Sequence, residues 1–146
     1  LRYPAHDVEA ITELVALHLR FHTYQMGWTD SAVRRYVRDA GEFLNELNVL
    51  TRCDCTTRNE KKAMMLAKRM DDLEARITEL ASQEELAALR PELDGAAVME
   101  QLKISPGRLV GVALNYLMEI RLEEGLLGET EVRRRLGEWW LTQHQA

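Results

Sequence analysis

Apolar residues recur along this chain at intervals of three and four positions, which is the spacing of one helix face turned toward a core. In the first such segment the apolar residues are Val8, Ile11, Leu14, Val15, Leu17, Leu19 and Phe21. A later one, through Met70, Leu73, Ile77 and Leu80, lies in a stretch without proline or glycine, residues 59–88. No alternating strand pattern and no internal repeat is visible. The sequence therefore predicts an all-α fold of about seven helices with one long central helix.

Residues typical of helix ends divide this pattern. Gly27 interrupts the helical pattern, Thr29 to Ser31 are candidate N-caps of the next helix, and Gly41 is the candidate for the end of that helix. Further on, Ser105 and Pro106 predict a helix with a serine cap and proline at its first position.

The segment RPELDG, residues 90–95, is the strongest interruption of the helical pattern. It predicts two parts, a helical body over residues 1–90 and a helical tail over residues 91–146. The first residue is Leu1 rather than methionine. We therefore expect an N-terminal portion of a longer protein to be missing from this sequence.

The composition is that of a globular protein, with 146 residues, 46% of them hydrophobic, and a formal net charge of −5. No apolar run approaches the ~20 residues of a membrane span, and no signal peptide is visible. The two cysteines are one residue apart, too close for the usual zinc spacing. Reduced cysteines and the lack of a span predict a cytoplasmic protein without membrane contact.

The stretch RCDCTTRN, residues 52–59, surrounds Asp54 with polar side chains. Asp54 would either ligate a metal held by histidines elsewhere or accept hydrogen bonds from the amides of the helix that begins at Thr56 to Asn59. His18 and His22 have the i, i+4 spacing that can hold a metal. Hydrogen-bonded structural histidines are the alternative. No catalytic nucleophile and base can be paired.

Positive charge is concentrated in residues 34–69, which contain nine Lys or Arg against five Asp or Glu, a net +4. A stripe that contacts phosphates is one interpretation, and an ordinary solvated face is the other. The residues favoured for phosphate contact are Arg34, Arg35, Arg38, Arg58, Lys62 and Arg108. Arg108 follows SPG at a helix start, where free amides attract anions, although Gly107 and Gly111 would also allow close helix packing.

Five segments in this order resemble the C-terminal body and tail of a bacterial CCA-adding tRNA nucleotidyltransferase. They are WTDSAVRRYVRDAG, DCTTRN, MDDLEARITEL, RPELDGAAVMEQLKISPGRLVG and LNYLMEIRLEEG. The resemblance covers nearly the whole chain and is strongest to the actinobacterial members of this poly(A) polymerase family, which carry an HD domain in mid-chain. It implies a tRNA partner, gripped along the acceptor and T arms.

The same resemblance implies that catalysis is located elsewhere in the parent enzyme. Its N-terminal head would bind Mg²⁺, with CTP and ATP as substrates, and its neck would read the incoming nucleotide. Neither part is in this sequence, so we expect no catalytic residue and no cofactor here. Asp54 matches the last aspartate of the HD motif and His18 a histidine position of some HD proteins. With the other ligands missing, we expect weak metal binding at most.

Two further hypotheses remain open at this point. One is the remnant of an HD-type metal-dependent phosphohydrolase, which would need additional histidine and aspartate ligands. The other is a helical protein-interaction module without a nucleic-acid partner.

Overall fold

The computed structural model describes residues 3–23, 27–54 and 57–144, and within these ranges it is helical without strands. Within these ranges seven α-helices follow one another: α1 (Ala5–His18), α2 (Asp30–Ala40), α3 (Leu44–Cys53), α4 (Glu60–Gln83), α5 (Gly95–Leu102), α6 (Arg108–Glu124) and α7 (Glu129–His144). Short 3-10 turns occupy Leu19–Thr23, Gly41–Phe43 and Leu86–Ala88. The predicted all-α fold is confirmed, and α4, with 24 residues, is the predicted long helix.

Several helix ends follow from single residues, and those at Thr29 and Gly41 are as predicted. The Thr29 hydroxyl accepts the amide of Ala32 at 3.2 Å and caps α2. Gly41, with φ of 53°, ends that helix in a conformation that a residue with a Cβ rarely adopts. The Asn59 side chain accepts the amide of Lys62 and caps α4.

Two helix ends differ from the prediction. Helix α4 ends at Gln83 instead of continuing to about residue 88, because Glu84 adopts an extended backbone and its carboxylate turns toward α2. Helix α6 begins at Arg108, so Pro106 is not its first residue and Ser105 is not its cap. The reason is that Gly107 is extended and itself forms the N-cap position.

The chain divides into two compact units, residues 1–87 and residues 88–146. The first contains α1 to α4 and the second α5 to α7. The domain boundary predicted from RPELDG, between residues 90 and 91, lies three positions after this division.

In the first unit the core is built where α2 and α3 pack against α4. Its buried apolar residues are Phe21, Val33, Tyr36, Val37, Ala40, Leu47, Met70, Leu73, Leu80 and Leu86. The Tyr36 hydroxyl donates to the amide oxygen of buried Asn48 at 2.9 Å, so both polar groups are satisfied inside the core. The apolar face predicted over α1 and the turn after it is only partly buried. Phe21 is buried, whereas Val8, Ile11, Val15 and Leu19 are exposed.

A buried ion pair connects α2 to the end of α4. The Arg34 Nε donates to Glu84 Oε1 at 2.9 Å, and both side chains are only 7% exposed. A guanidinium removed from water needs such a partner, because an unpaired buried charge costs several kcal/mol. The pair therefore holds the C-terminal end of α4 against α2.

In the second unit the core consists of Leu93, Val98, Ala113, Leu117, Ile120, Val132 and Leu136. Trp139 stacks on Tyr116 with ring centroids 4.7 Å apart, and Trp139 packs against this core. The Glu92 carboxylate accepts the amides of Leu127 and Gly128, at 2.9 and 3.0 Å, just before α7 begins. This negative charge complements the positive end of the helix dipole.

The surface of α7 is covered by ion pairs between residues one helical turn apart. Glu131 accepts hydrogen bonds from Arg134 and from Arg135, at 2.8 to 2.9 Å. These bonds lower the pKa of the Glu131 carboxyl to about 2. Among the described residues, no helix is long and apolar enough to cross a membrane.

The Arg34–Glu84 pair yields the first prediction. Arg34→Met and Glu84→Gln should each lower the free energy of unfolding of the first unit by about 3 kcal/mol, because each leaves one buried charge without its partner. The double variant Arg34→Met/Glu84→Met should recover most of that loss. Urea denaturation followed by Trp28 fluorescence, in a Trp139→Phe/Trp140→Phe background, reports this unit alone.

The matched control is Arg58→Met, an exposed arginine whose replacement should change the free energy of unfolding by less than about 0.5 kcal/mol. Single variants at positions 34 and 84 that unfold like this control would show that the pair does not hold α2 to α4.

The second prediction concerns pH. The pKa of Glu131 lies below its ordinary value of 4.5 in the folded chain, so ionisation favours folding. That stabilisation is complete above pH 4.5 and is lost as the pH falls toward about 2. Carbon-13 NMR should give a midpoint of about 2 for this carboxyl. In Glu131→Gln, stability should depend less on pH over this interval, and a wild-type midpoint of 4 or above would contradict the assignment.

Candidate nucleic-acid interface

The positive segment of residues 34–69 separates into two parts with different charge. Residues 34–54 contain four Lys or Arg and four Asp or Glu, and are therefore balanced. Residues 58–69 contain five Lys or Arg and a single acid, Glu60, a net +4. The whole excess of positive charge in residues 34–69 thus lies in residues 58–69, just before and within the first half of α4.

On α2, two of the three arginines predicted to contact phosphates are paired with carboxylates of the first unit. Arg34 is buried against Glu84, so its guanidinium is not presented to a ligand. Arg38 donates to Asp39 at 3.2 Å, and Arg20 also pairs with that carboxylate. Arg35 is half-buried.

Two more cations of this segment are held by groups within the first unit. Arg52 bonds to Glu74 and Asp71, both at 2.7 Å, and these bonds raise the pKa of the guanidinium further above its ordinary value. Arg69 lies over the Phe21 ring, 5.0 Å from its centroid, and donates to the Phe21 carbonyl. Both arginines stabilise the packing of α4 against its neighbours.

The remaining cations, Arg58, Lys61, Lys62 and Lys68, form a surface that we call the α4 basic surface. All four are exposed. Within residues 3–23, 27–54 and 57–144, none of them has an ion-pair partner. Arg58 and Lys62 were predicted as phosphate contacts; Lys61 and Lys68 were not, and they are equally exposed.

Helix geometry places part of this surface on one side of α4. Lys61, Met64, Met65 and Lys68 are spaced by three, one and three residues and so share a face. The two methionines are 73% and 65% exposed. The first amides of α4 lie beside the cations, and their dipole adds positive potential for an anion. A group of exposed cations of this kind attracts anions such as phosphates.

Arg108, the remaining predicted contact, belongs to the second unit. It is the exposed first residue of α6, and the Gly107 N-cap before it supplies no side-chain hydrogen bond. Within the described part of the chain it has no ion-pair partner. It is therefore a separate candidate for a phosphate contact.

The two predicted metal residues lie close together. His18 Nε2 is 3.7 Å from Asp54 Oδ2, and their side chains are 20% and 48% exposed. The His18 Nδ1 bonds to the Val15 carbonyl, which turns Nε2 toward Asp54. Asp54 does not cap α4, as one of the two interpretations proposed, because Asn59 does so. Thr56 and Cys55 lie outside the described residues, and Cys53 is exposed and reduced.

This pair does not fit a metal centre by itself. Protein metal sites use three or four ligands, or a few ligands and several waters. In the part of the chain that the structure describes, no group of three His, Cys, Asp or Glu side chains comes together. The pair thus has the geometry of a histidine–carboxylate contact at the end of α1.

Comparison of this chain with protein-family models, with curated proteins and with solved structures gives no match. The similarity to CCA-adding enzymes therefore stays a prediction that depends on the five motifs.

Proposed function

We propose that this chain is the tRNA-binding helical portion of a CCA-adding tRNA nucleotidyltransferase, without its catalytic head. The observation that carries the proposal is the α4 basic surface. In an acidic chain whose other arginines are largely engaged with carboxylates, four exposed cations without such partners adjoin one helix start. The five motifs and their order supply the family.

The side chains on this surface favour contact with the phosphate backbone rather than with bases. Three of the four cations are lysines, which act as point charges and read no base edge by a bidentate fork. Trp139 is an unsuitable stacking platform, since one face of its ring already covers Tyr116. Such a surface would bind an A-form stem by its shape and charge.

The role in the parent enzyme would be positioning. Nucleotidyl transfer depends mainly on holding the 3′ end and the triphosphate in line, and a grip on the tRNA stem contributes to that alignment. Mg²⁺, CTP and ATP belong to the head, so no chemical step is assigned to His18 or Asp54. We also propose a cytoplasmic location, as tRNA processing requires.

The test is binding to an RNA hairpin with the length of the tRNA acceptor and T arms. Lys61→Gln/Lys62→Gln/Lys68→Gln should weaken binding about 10- to 100-fold at low salt. It should also reduce the slope of log affinity against log salt by about 2 to 3, because each phosphate contact contributes about one. Fluorescence anisotropy at several KCl concentrations gives both values.

A matched control removes the same number of positive charges, but from arginines that are paired with carboxylates. Arg133→Gln/Arg134→Gln/Arg135→Gln removes cations that already contact carboxylates, so affinity and slope should stay close to wild type. Arg108→Gln is measured separately, with an expected slope reduction of about one. Unchanged binding in the lysine variant would refute the proposed surface. Equal affinity for a DNA hairpin would refute the preference for A-form RNA.

A further inference from the structure

The charge of α4 changes sign halfway along the helix. Residues 58–69 have a net charge of +4, as described above, whereas residues 70–83 contain four Asp or Glu and one Arg, a net −3. Lys61 and Lys62 stand in the first turn of α4, where the helix dipole favours acids instead. The stability of the helix by itself therefore does not account for this order of charges.

Both halves contribute to a single exposed side of α4. The residues on it are spaced by four, three, four, three and four positions, and all are exposed: Lys61, Met65, Lys68, Asp72, Ala75 and Glu79. At about 100° per residue, they lie within about 40° of one line along the helix. The buried Met70, nine positions after Lys61, points to the opposite side. We call these six residues the α4 outer stripe.

The charged groups of the α4 outer stripe can still accept a partner. Within the part of the chain that the structure describes, Lys61, Lys68 and Asp72 have no ion-pair partner. Glu79 accepts a hydrogen bond from Arg76 at 2.6 Å, but its side chain is 55% exposed, and a carboxylate accepts several bonds. Arg76, the one cation of the acidic half, also pairs with Asp30, so its charge is already neutralised.

The stripe is complementary to itself when two copies of α4 lie antiparallel. With Met70 of both copies at the same level, Lys61 is level with Glu79 of the other copy, and Lys68 is level with Asp72. Each of these pairs occurs twice by symmetry. A shift by one heptad keeps only one of the two kinds of pair, and a parallel alignment places like charges together, which is unfavourable. The charges therefore select one register.

We infer that the α4 outer stripe binds the same stripe of a second copy of this chain, antiparallel, in a two-fold symmetric dimer. Such a contact is isologous, so it closes at two copies. It extends over about 27 Å of helix and buries on the order of 1,000 Å² in total, the lower limit for a specific interface. The flexible Met65 side chain can fill the space between the ion pairs. The dimer is weak, and salt weakens it further.

This dimer would cover Lys61 and Lys68, so a dimeric copy could not present these two lysines to RNA. The inference itself depends on the order of charges along α4 and not on RNA binding. Either proposal can therefore fail alone.

Charge reversal tests the pairing by sedimentation equilibrium of the full chain without nucleic acid. At up to about 500 μM, where a weak contact of this size should be populated, the wild-type mass should rise toward that of a dimer and no further. Lys61→Glu/Lys68→Glu and Asp72→Lys/Glu79→Lys should each raise the dissociation constant at least about 10-fold, because attraction becomes repulsion. Combining all four substitutions in one chain restores every pair at unchanged net charge, and dimerisation should return to the wild-type level.

The matched control is Glu9→Lys/Glu13→Lys, which changes the net charge as much as Asp72→Lys/Glu79→Lys does but lies on α1, and it should dimerise like wild type. Circular dichroism establishes that every variant is folded. A wild-type chain that stays monomeric, or that associates beyond a dimer, overturns the inference. Dimerisation that survives either charge reversal places the contact elsewhere. A fourfold variant that stays monomeric refutes the antiparallel register.

Discussion

The buried ion pair between Arg34 and Glu84 is the constraint on which much of the first unit depends. A guanidinium that is 7% exposed must keep a carboxylate beside it, so the end of α4 is fixed against α2. The same pairing explains why α4 ends at Gln83 without a glycine or proline, because the next residue has to leave the helix for its carboxylate to reach Arg34. This one interaction thereby ends α4, fixes that end against α2 and neutralises the charge of Arg34 inside the unit.

This use of arginine determines where positive charge remains available. Arg38 and Arg52 are held by carboxylates, and Arg69 by the Phe21 ring and carbonyl. The lysines of α4, with long flexible side chains and no such partner in the described structure, stay in solvent. An acidic protein can therefore present a basic surface without a change in its net charge.

Part of this organisation could be predicted from the sequence. Helical spacing predicted the fold class and the long α4, and the helix ends predicted at Thr29 and Gly41 were correct because their hydrogen bonds join residues three or four positions apart. The end of α4 and the start of α6 were not predicted correctly. The first depends on Glu84 reaching Arg34 across 50 positions, and the second on the backbone of Gly107.

The candidate site could be predicted only in part for the same reason. Arg34 and Arg38 are one helical turn apart and so share a face of α2. This spacing could not indicate that the two arginines pair with Glu84 and Asp39. The separation of a balanced segment, residues 34–54, from the basic segment 58–69 was present in the sequence and would have identified Lys61 and Lys68. The exposure of Val8, Ile11, Val15 and Leu19 could not be predicted, because spacing does not tell which side of α1 meets α3.

Arg34 and Arg38 on α2 are paired with carboxylates, whereas the α4 basic surface is exposed and has no ion-pair partner among the described residues, so a ligand should contact α4 and not α2. NMR of arginine and lysine side-chain N–H groups during titration with the RNA hairpin tests this most directly. Signals of Arg58, Lys61, Lys62 and Lys68 should shift, while the protected Arg34 Nε–H signal should stay in place. A shift at Arg34 with unchanged signals on α4 would contradict it.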